Sequence, residues 1–367
     1  MNFCKSFFLI IGFWLYLGST AYADGISFEH KDWQIVCDNT LTCRAAGYSV
    51  EDAKNRVTVL LVRKAGIGQD VSALVKFADI DDQTVKTTNK VTLKIADKSY
   101  GKLGSESIQD INDKQTTNSL TKEQTQILIL ALKGTSKIAF VDKNEEWVLP
   151  GDGAVAVLLK MDEVQGRVGT SSALIKKGNQ PESKVLPALP KPVIFQKPLI
   201  KGDPKSWQSK VNWYVLKQKL SNGKDLGPDK ERGDYNSCDL LIKGDSEYNK
   251  FDPKVVAILP NNQLLISGLC ARGAYNEVYG YWIINQQEPY QPKLITTMAD
   301  GAIDDIIEGD EISSSSKDRG IGDCWSHKSW IWNGKNFVKA YDGNSGICRN
   351  IEAGGAWNLP TYVTTVK

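Results

Sequence analysis

The chain has 367 residues, 41% of them apolar and 24% charged, with 45 basic against 43 acidic side chains and a formal net charge of +2. So small a charge, spread without basic runs, argues against a nucleic-acid partner. The length is too great for one ordinary core and points to two domains.

The opening segment MNFCKSFFLIIGFWLYLGSTAYADG carries Lys5, an apolar run over residues 7–17, and small residues at Ala21 and Ala23. This is the pattern of a secretory signal peptide cut after Ala23. The run is short of the ~20 residues a membrane helix needs, and no later stretch is longer. We therefore expect a periplasmic protein with no membrane span after cleavage.

Beyond the leader lie Cys37, Cys43, Cys238, Cys270, Cys324 and Cys348. An even count in an exported chain reads as disulfides. Zinc would want paired C-x-x-C spacings or clustered histidines, and His30 and His327 are far apart. The simplest pairing is local: Cys37 with Cys43, Cys238 with Cys270, Cys324 with Cys348. In WQIVCDNTLTC, Trp33, Ile35 and Cys37 alternate on one strand face, and Asp38, Asn39 and Thr40 supply the turn that brings Cys43 back. With no C-x-x-C and no basic helix start beside them, these thiols have no redox signature.

RVTVLLVRKA (residues 56–65), VSALVKFADI (71–80) and KVTLKIAD (90–97) are β-branched and largely alternating, and are expected to join the first hairpin in a sheet. Thr121 to Gln124 fits a capping box ahead of Ile127, Leu128, Ala131 and Leu132, with Gly134 closing the helix. A second helix is predicted from Gly151 or Asp152, with Ala154, Val157, Leu158, Met161 and Val164 on one face and Gly166 as its stop. Both should cover one face of the sheet. A proline-rich stretch, residues 181–206, then reads as a stiff linker. After Trp207 the pattern is short strands and turns: hairpins over residues 255–270 and 329–342, the second around Asn333-Gly334, with YGYWII and PKLITT as further strands.

Candidate chemistry is sparse. Asp304, Asp305, Glu308 and Asp310 lie in an acidic segment that would suit calcium, although the EF-hand spacing is missing. The same carboxylates are the candidates for a hydrolase. His30 and His327 lack any nucleophile elbow. Without a Walker A run or a strand-to-helix G-x-G-x-x-G, no cofactor is indicated. Seven of the ten tryptophans follow residue 200, and Trp325, Trp330 and Trp332 are candidates for an aromatic surface that binds protein or glycan. Trp330 and Trp332, two apart, must share one strand face, and filling a core is their other role.

DWQIVCDNTLTCRAAGY, LLKMDEVQGRVGTSSALIKKG (residues 158–178), RGIGDC (319–324), WIWNGKNF (330–337) and the late Cys348-Arg349 together resemble the bacterial DUF1176 family of exported proteins of unknown function. The N-terminal half is also loosely similar to invasion-associated locus B proteins. The first resemblance implies export and supplies no site residues; the second implies an envelope protein in contact with a host. Within the second motif, Arg167 stands where a helix ends, favourably placed for the helix dipole. Asp162 and Arg167 either tie that helix to the sheet or face a ligand.

The expected fold is α+β: a domain over residues 24–180 with a sheet and two late helices, a linker over 181–206, and a mostly antiparallel β domain over 207–367, all stapled by disulfides. The expected role is non-catalytic binding of a protein or glycan of the envelope, one version being inhibition of a wall hydrolase. A carboxylate-dependent hydrolase centred on residues 300–311 is the alternative.

Overall fold

A computed structural model describes residues 24–79, 90–109, 114–143, 145–222, 238, 241, 253–300 and 310–367. The first half begins with β1 (Ile26–His30), β2 (Trp33–Cys37), β3 (Cys43–Tyr48), β4 (Asn55–Arg63) and β5 (Val71–Asp79). There follow β6 (Thr92–Ile95), β7 (Lys98–Lys102), β8 (Gly104–Gln109), β9 (Lys114–Ser119) and α1 (Lys122–Ala131). It closes with β10 (Ile138–Val141), β11 (Glu146–Leu149) and α2 (Ala154–Val164). A seven-stranded sheet runs β1-β2-β3-β4-β5-β9-β8, and a four-stranded one β11-β10-β6-β7. KVTLKIAD thus forms a strand in the second sheet instead of lying beside β5. Strand propensity sets the element but not its neighbour.

The inner face of the large sheet, including Trp33, Ile35, Val59, Leu61 and Phe77, packs against Leu128 of α1, Val157 and Met161 of α2, and Phe140 and Trp147 of the small sheet. Each such side chain, fully buried, contributes about 1.5–3 kcal/mol. At the start of α1, Thr121 Oγ1 accepts from Gln124 N at 3.2 Å and Gln124 Oε1 accepts from Thr121 N at 3.0 Å, the reciprocal capping box. The Gln124 side-chain amide then donates to the carbonyls of Tyr100, Gly101 and Lys102, locking α1 to the small sheet.

The second half holds β12 (Val193–Ile194), α3 (Trp213–Asn222), β13 (Lys254–Leu259), β14 (Gln263–Arg272), β15 (Glu277–Asn285) and β16 (Lys293–Asp300). Next come β17 (Glu311–Lys317), β18 (Trp325–Trp332), β19 (Phe337–Asn344), β20 (Leu359–Val363) and β21 (Thr365–Val366). Two four-stranded antiparallel sheets, β13-β14-β15-β16 and β17-β18-β19-β20, share a core of Leu265, Tyr281, Ile283, Ile312, Trp330 and Trp332. The far side of the first is covered by Leu216 and Leu220 of α3, with the Cys238–Cys270 disulfide among them. That helix was not expected; its WYVLKQKLSN sequence mixes β-branched and aromatic residues, so packing and not propensity decides it. The hairpin at Asn333-Gly334 also differs from the two-residue form. Trp332 pairs with Phe337, and Asn333 Oδ1 accepts from Lys335 N at 3.0 Å and Asn336 N at 2.9 Å, closing a longer loop.

The proline-rich stretch is docked along its length instead of spanning free. Leu186 N donates to Gln165 O at 3.0 Å, Leu189 N to Thr40 O at 3.2 Å, and Lys197 N to Trp332 O at 3.0 Å. In between, β12 pairs in parallel with β21.

The last part of the chain returns to the first. Ile351, Ala356, Trp357 and Leu359 cover the outer face of the large sheet at Val36, Tyr48, Leu60 and Leu74. This is why β2 is buried at every residue. Trp357 Nε1 donates to Thr58 Oγ1 at 2.8 Å, and buried Lys76 lies over its ring and pairs with Glu352 at 2.7 Å. Gly346 passes so close to Tyr48 that a Cβ would overlap its hydroxyl, and its φ of +105° suits only glycine. Arg319 bridges Asp323 and Glu51, while Arg349 reaches Asp32 at 2.9 Å.

Candidate functional site

The motif after α2 builds a closed polar knot. Asp162 is fully buried, and its carboxylate accepts from Leu174 N at 2.8 Å and Ile175 N at 2.9 Å. Arg63 Nη1 stands 3.6 Å from it. Gln165 donates to Leu41 O and Arg63 O at 3.0 and 2.9 Å. Arg167, also fully buried, donates to Gln165 Oε1, Ser172 Oγ and Gly66 O at 3.0, 3.0 and 2.6 Å. Glu182 accepts from the Ser171 and Ser172 hydroxyls at 2.7 and 2.8 Å. Asp162 and Arg167 are therefore spent on protein partners, the tie between helix and sheet. Burial raises the Asp162 carboxyl against the pull of its backbone donors and of Arg63.

Beside this knot runs a groove of about 430 Å³, within the size range of ligand sites. One wall is a single face of α1, where Lys122, Thr125, Gln126, Ile129 and Leu130 recur at helical spacing, with Lys133 just beyond the helix end. Opposite stand Gln69, Asp70 and Val71 from the β4–β5 turn, and Ser172, Leu174 and Lys177 from the loop after α2. Arg63 completes it, its Nε donating to Gln69 O at 3.1 Å and its Nη2 to Ser172 O at 2.9 Å. Its Nη1 is buried with no hydrogen-bond partner.

The groove's charge is lopsided. Arg63, Lys122, Lys133 and Lys177 line it with one acid, Asp70, which pairs with Lys122 at 2.6 Å, while Asp162, outside the lining, stands 3.6 Å from Arg63. That hydrogen bond holds the Asp70 carboxyl below its usual range, so it is ionised at neutral pH. Burial, and then the neighbouring Arg167, pull Arg63 down to about 10, with Asp162, Asp70 and Glu182 offsetting only part. A guanidinium in such a place gains from any further negative charge. The groove thus combines these cations with the apolar side chains of Val71, Ile129, Leu130 and Leu174. A second hollow of about 590 Å³, at the start of α2 and the end of α1, shares Lys133. The groove has no signature in the sequence, because its walls come from three distant segments and the α1 stripe reads as a solvated face.

Other candidates go elsewhere. Trp330 and Trp332 are 9% and 1% exposed and fill the sandwich core, with Trp332 5.2 Å from Phe337 between ring centres. They form no surface, since both rings belong to the core shared by the two sheets. Trp325 is half-buried; its Nε1 donates to Gly322 O at 2.8 Å and Lys317 lies over its ring. His327 meets Ser315 Oγ at 3.0 Å. Asp304, Asp305 and Glu308 lie outside the described residues. Asp310 Oδ1 accepts from Leu199 N at 3.0 Å, fastening the proline-rich stretch to the sandwich. Among the described residues, Asp318, Cys324 and Cys348 come within ligating distance of one another, but both sulfurs are spent in a disulfide and offer no thiolate. The other two bridges join Cys37 to Cys43 and Cys238 to Cys270.

No helix among the described residues is long and apolar enough to cross a membrane. No solved structure matches the chain. The uncharacterised protein YpfG of Escherichia coli (strain K12) is 24% identical over 373 aligned positions, covering 95% of this chain and 96% of that protein. The profile of a protein family of unknown function, DUF1176, matches residues 27–364, and the chain belongs to that family.

Proposed function

We propose that the protein is a non-catalytic binding component of the bacterial cell envelope, and that the groove along α1 holds an extended, anionic, partly apolar ligand. One observation carries this reading: four cations, a single acid and several apolar side chains line one groove. Binding is favoured over catalysis because Asp70, the groove's carboxylate, is committed to Lys122 and has no pKa suited to proton transfer at neutral pH. The envelope setting rests on the leader-like start of the sequence and on three disulfides, which persist in an oxidising compartment.

Acidic peptides and acid-bearing glycans both fit such a groove, and the peptide is the simpler probe. Calorimetric titration with a short peptide alternating leucine and glutamate should give saturable binding that the leucine–lysine counterpart lacks. Lys133→Glu together with Lys177→Glu should abolish it, both being surface changes that leave the knot intact. Equal affinity for both peptides would sink the reading. A hydrolase built on the 300–311 segment is the competing proposal, and hydrolytic activity against wall fragments lost in Asp304→Asn or Glu308→Gln would replace this one.

A further inference from the structure

The docked proline-rich stretch has a second property. Of the fifteen large apolar side chains exposed among the described residues, five lie within it: Leu186 at 43%, Leu189 at 45%, Val193 at 46%, Phe195 at 61% and Ile200 at 47%. Lys184, Lys191, Lys197 and Lys201 are interleaved with them, and no acid occurs between residues 184 and 201. All four lysines are exposed.

The backbone explains why these side chains point outward. Inward contacts are taken by main-chain hydrogen bonds to Gln165, Thr40, Lys367, Trp332 and Ile258, and by Ile194, which packs on Ile331 and Ala340. Alternation in an extended chain then turns Val193 and Phe195 away from the body. Proline stiffens the rest, so little conformational entropy remains to be lost on docking.

From this row of outward apolar side chains, alternating with unopposed lysines on a fixed backbone, we infer that the stretch is a peripheral docking ridge for an acidic phospholipid surface. Charge selects the partner: a surface meeting this ridge has to be anionic, because its four lysines have no acid between them from residue 184 to 201. The apolar side chains stand separately along a row, and a fluid lipid interface accepts such a row without a matching shape. Phe195, Leu189 and Ile200 enter the interfacial layer while the lysine stems extend to the headgroups.

The test is co-sedimentation of the purified protein with vesicles of phosphatidylcholine alone, or of phosphatidylcholine and phosphatidylglycerol in equal parts. Binding is expected only to the second and should weaken as salt is raised. Replacing Lys191, Lys197 and Lys201 by glutamine should lower partitioning on the order of a hundredfold. Phe195→Ser with Ile200→Ser should lower it roughly tenfold or more. Unchanged circular dichroism and tryptophan fluorescence would show that these exposed substitutions spare the fold. Lys133→Glu with Lys177→Glu should bind vesicles like the wild type, separating the ridge from the groove. Wild-type indifference to phosphatidylglycerol, or undiminished binding by both ridge variants, would overturn the inference. So would capture of soluble polyglutamate by the groove variant in place of vesicles, which would assign the ridge to an acidic protein.

Discussion

Replacing Asp162 by asparagine should be among the most damaging isosteric changes in the molecule. The carboxylate is fully buried, accepts from two backbone N–H groups and faces Arg63 at 3.6 Å. Asparagine keeps one acceptor oxygen, sets an NH₂ group against a backbone donor, and leaves Arg63 beside Arg167 without its nearest counter-charge. A hydrogen bond to a charged group contributes about 1.5–3 kcal/mol, and stranding one member of a buried ion pair costs about 3–5 kcal/mol. These effects share atoms and do not add, so we expect a loss of about 4 kcal/mol against a total stability of ~5–15 kcal/mol. Urea unfolding followed by tryptophan fluorescence measures it as a lowered midpoint at constant slope. Arg63→Met should be less harmful in the Asp162→Asn background than alone, with the double variant at least about 2 kcal/mol better than the summed singles. A loss below ~1 kcal/mol for Asp162→Asn, or strict additivity, would refute the knot as an electrostatic unit.

Other outcomes are equally open to measurement. Glu182, held by the Ser171 and Ser172 hydroxyls, has its carboxyl pulled down to about 2 from 4.5. The folded value lies below the unfolded one, so its stabilising effect is present above pH 4.5 and is lost as pH falls toward 2; Glu182→Gln should flatten that part of a stability–pH curve. Removing the Cys37–Cys43 bridge, which closes a six-residue separation, should cost about 2 kcal/mol, whereas Cys238–Cys270, across 32 residues, should cost about 4 kcal/mol in calorimetric unfolding. Trp357→Ala should cost about 3–5 kcal/mol and open the 345–359 segment to limited proteolysis; resistance equal to wild type would show that Trp357 does not hold it.

What the sequence made legible was local. The β2–β3 and β13–β14 hairpins follow from alternation and turn residues a few positions apart, and α1 from a capping box that the structure reproduces atom for atom. Cysteine pairs that stay within one stretch could be inferred from spacing for the same reason. Illegible were features made by distant segments. The groove needs residues 63–71, 122–133 and 172–177 together, and none of them carries a sign of the others. The proline-rich stretch was readable as extended and stiff, but its docking depends on main-chain hydrogen bonds, which leave no mark in side-chain pattern. Trp330 and Trp332 were readable as sharing a face; which face met a second sheet was not. Asp162 and Arg167 drew notice as a charged pair, and only burial shows that their partners are all internal.

The closure of the outer sheet face by the end of the chain sets the order in which the protein becomes whole. Val36, Leu60 and Leu74 have no apolar cover until Ile351, Trp357 and Leu359 arrive. A polypeptide delivered amino terminus first, from a ribosome or through an export channel, keeps that sheet face wet for the whole of its delivery. Such an intermediate is a natural client for a holdase chaperone. Ending translation after residue 344 would arrest the molecule there and convert a passing step of biogenesis into a standing aggregation hazard.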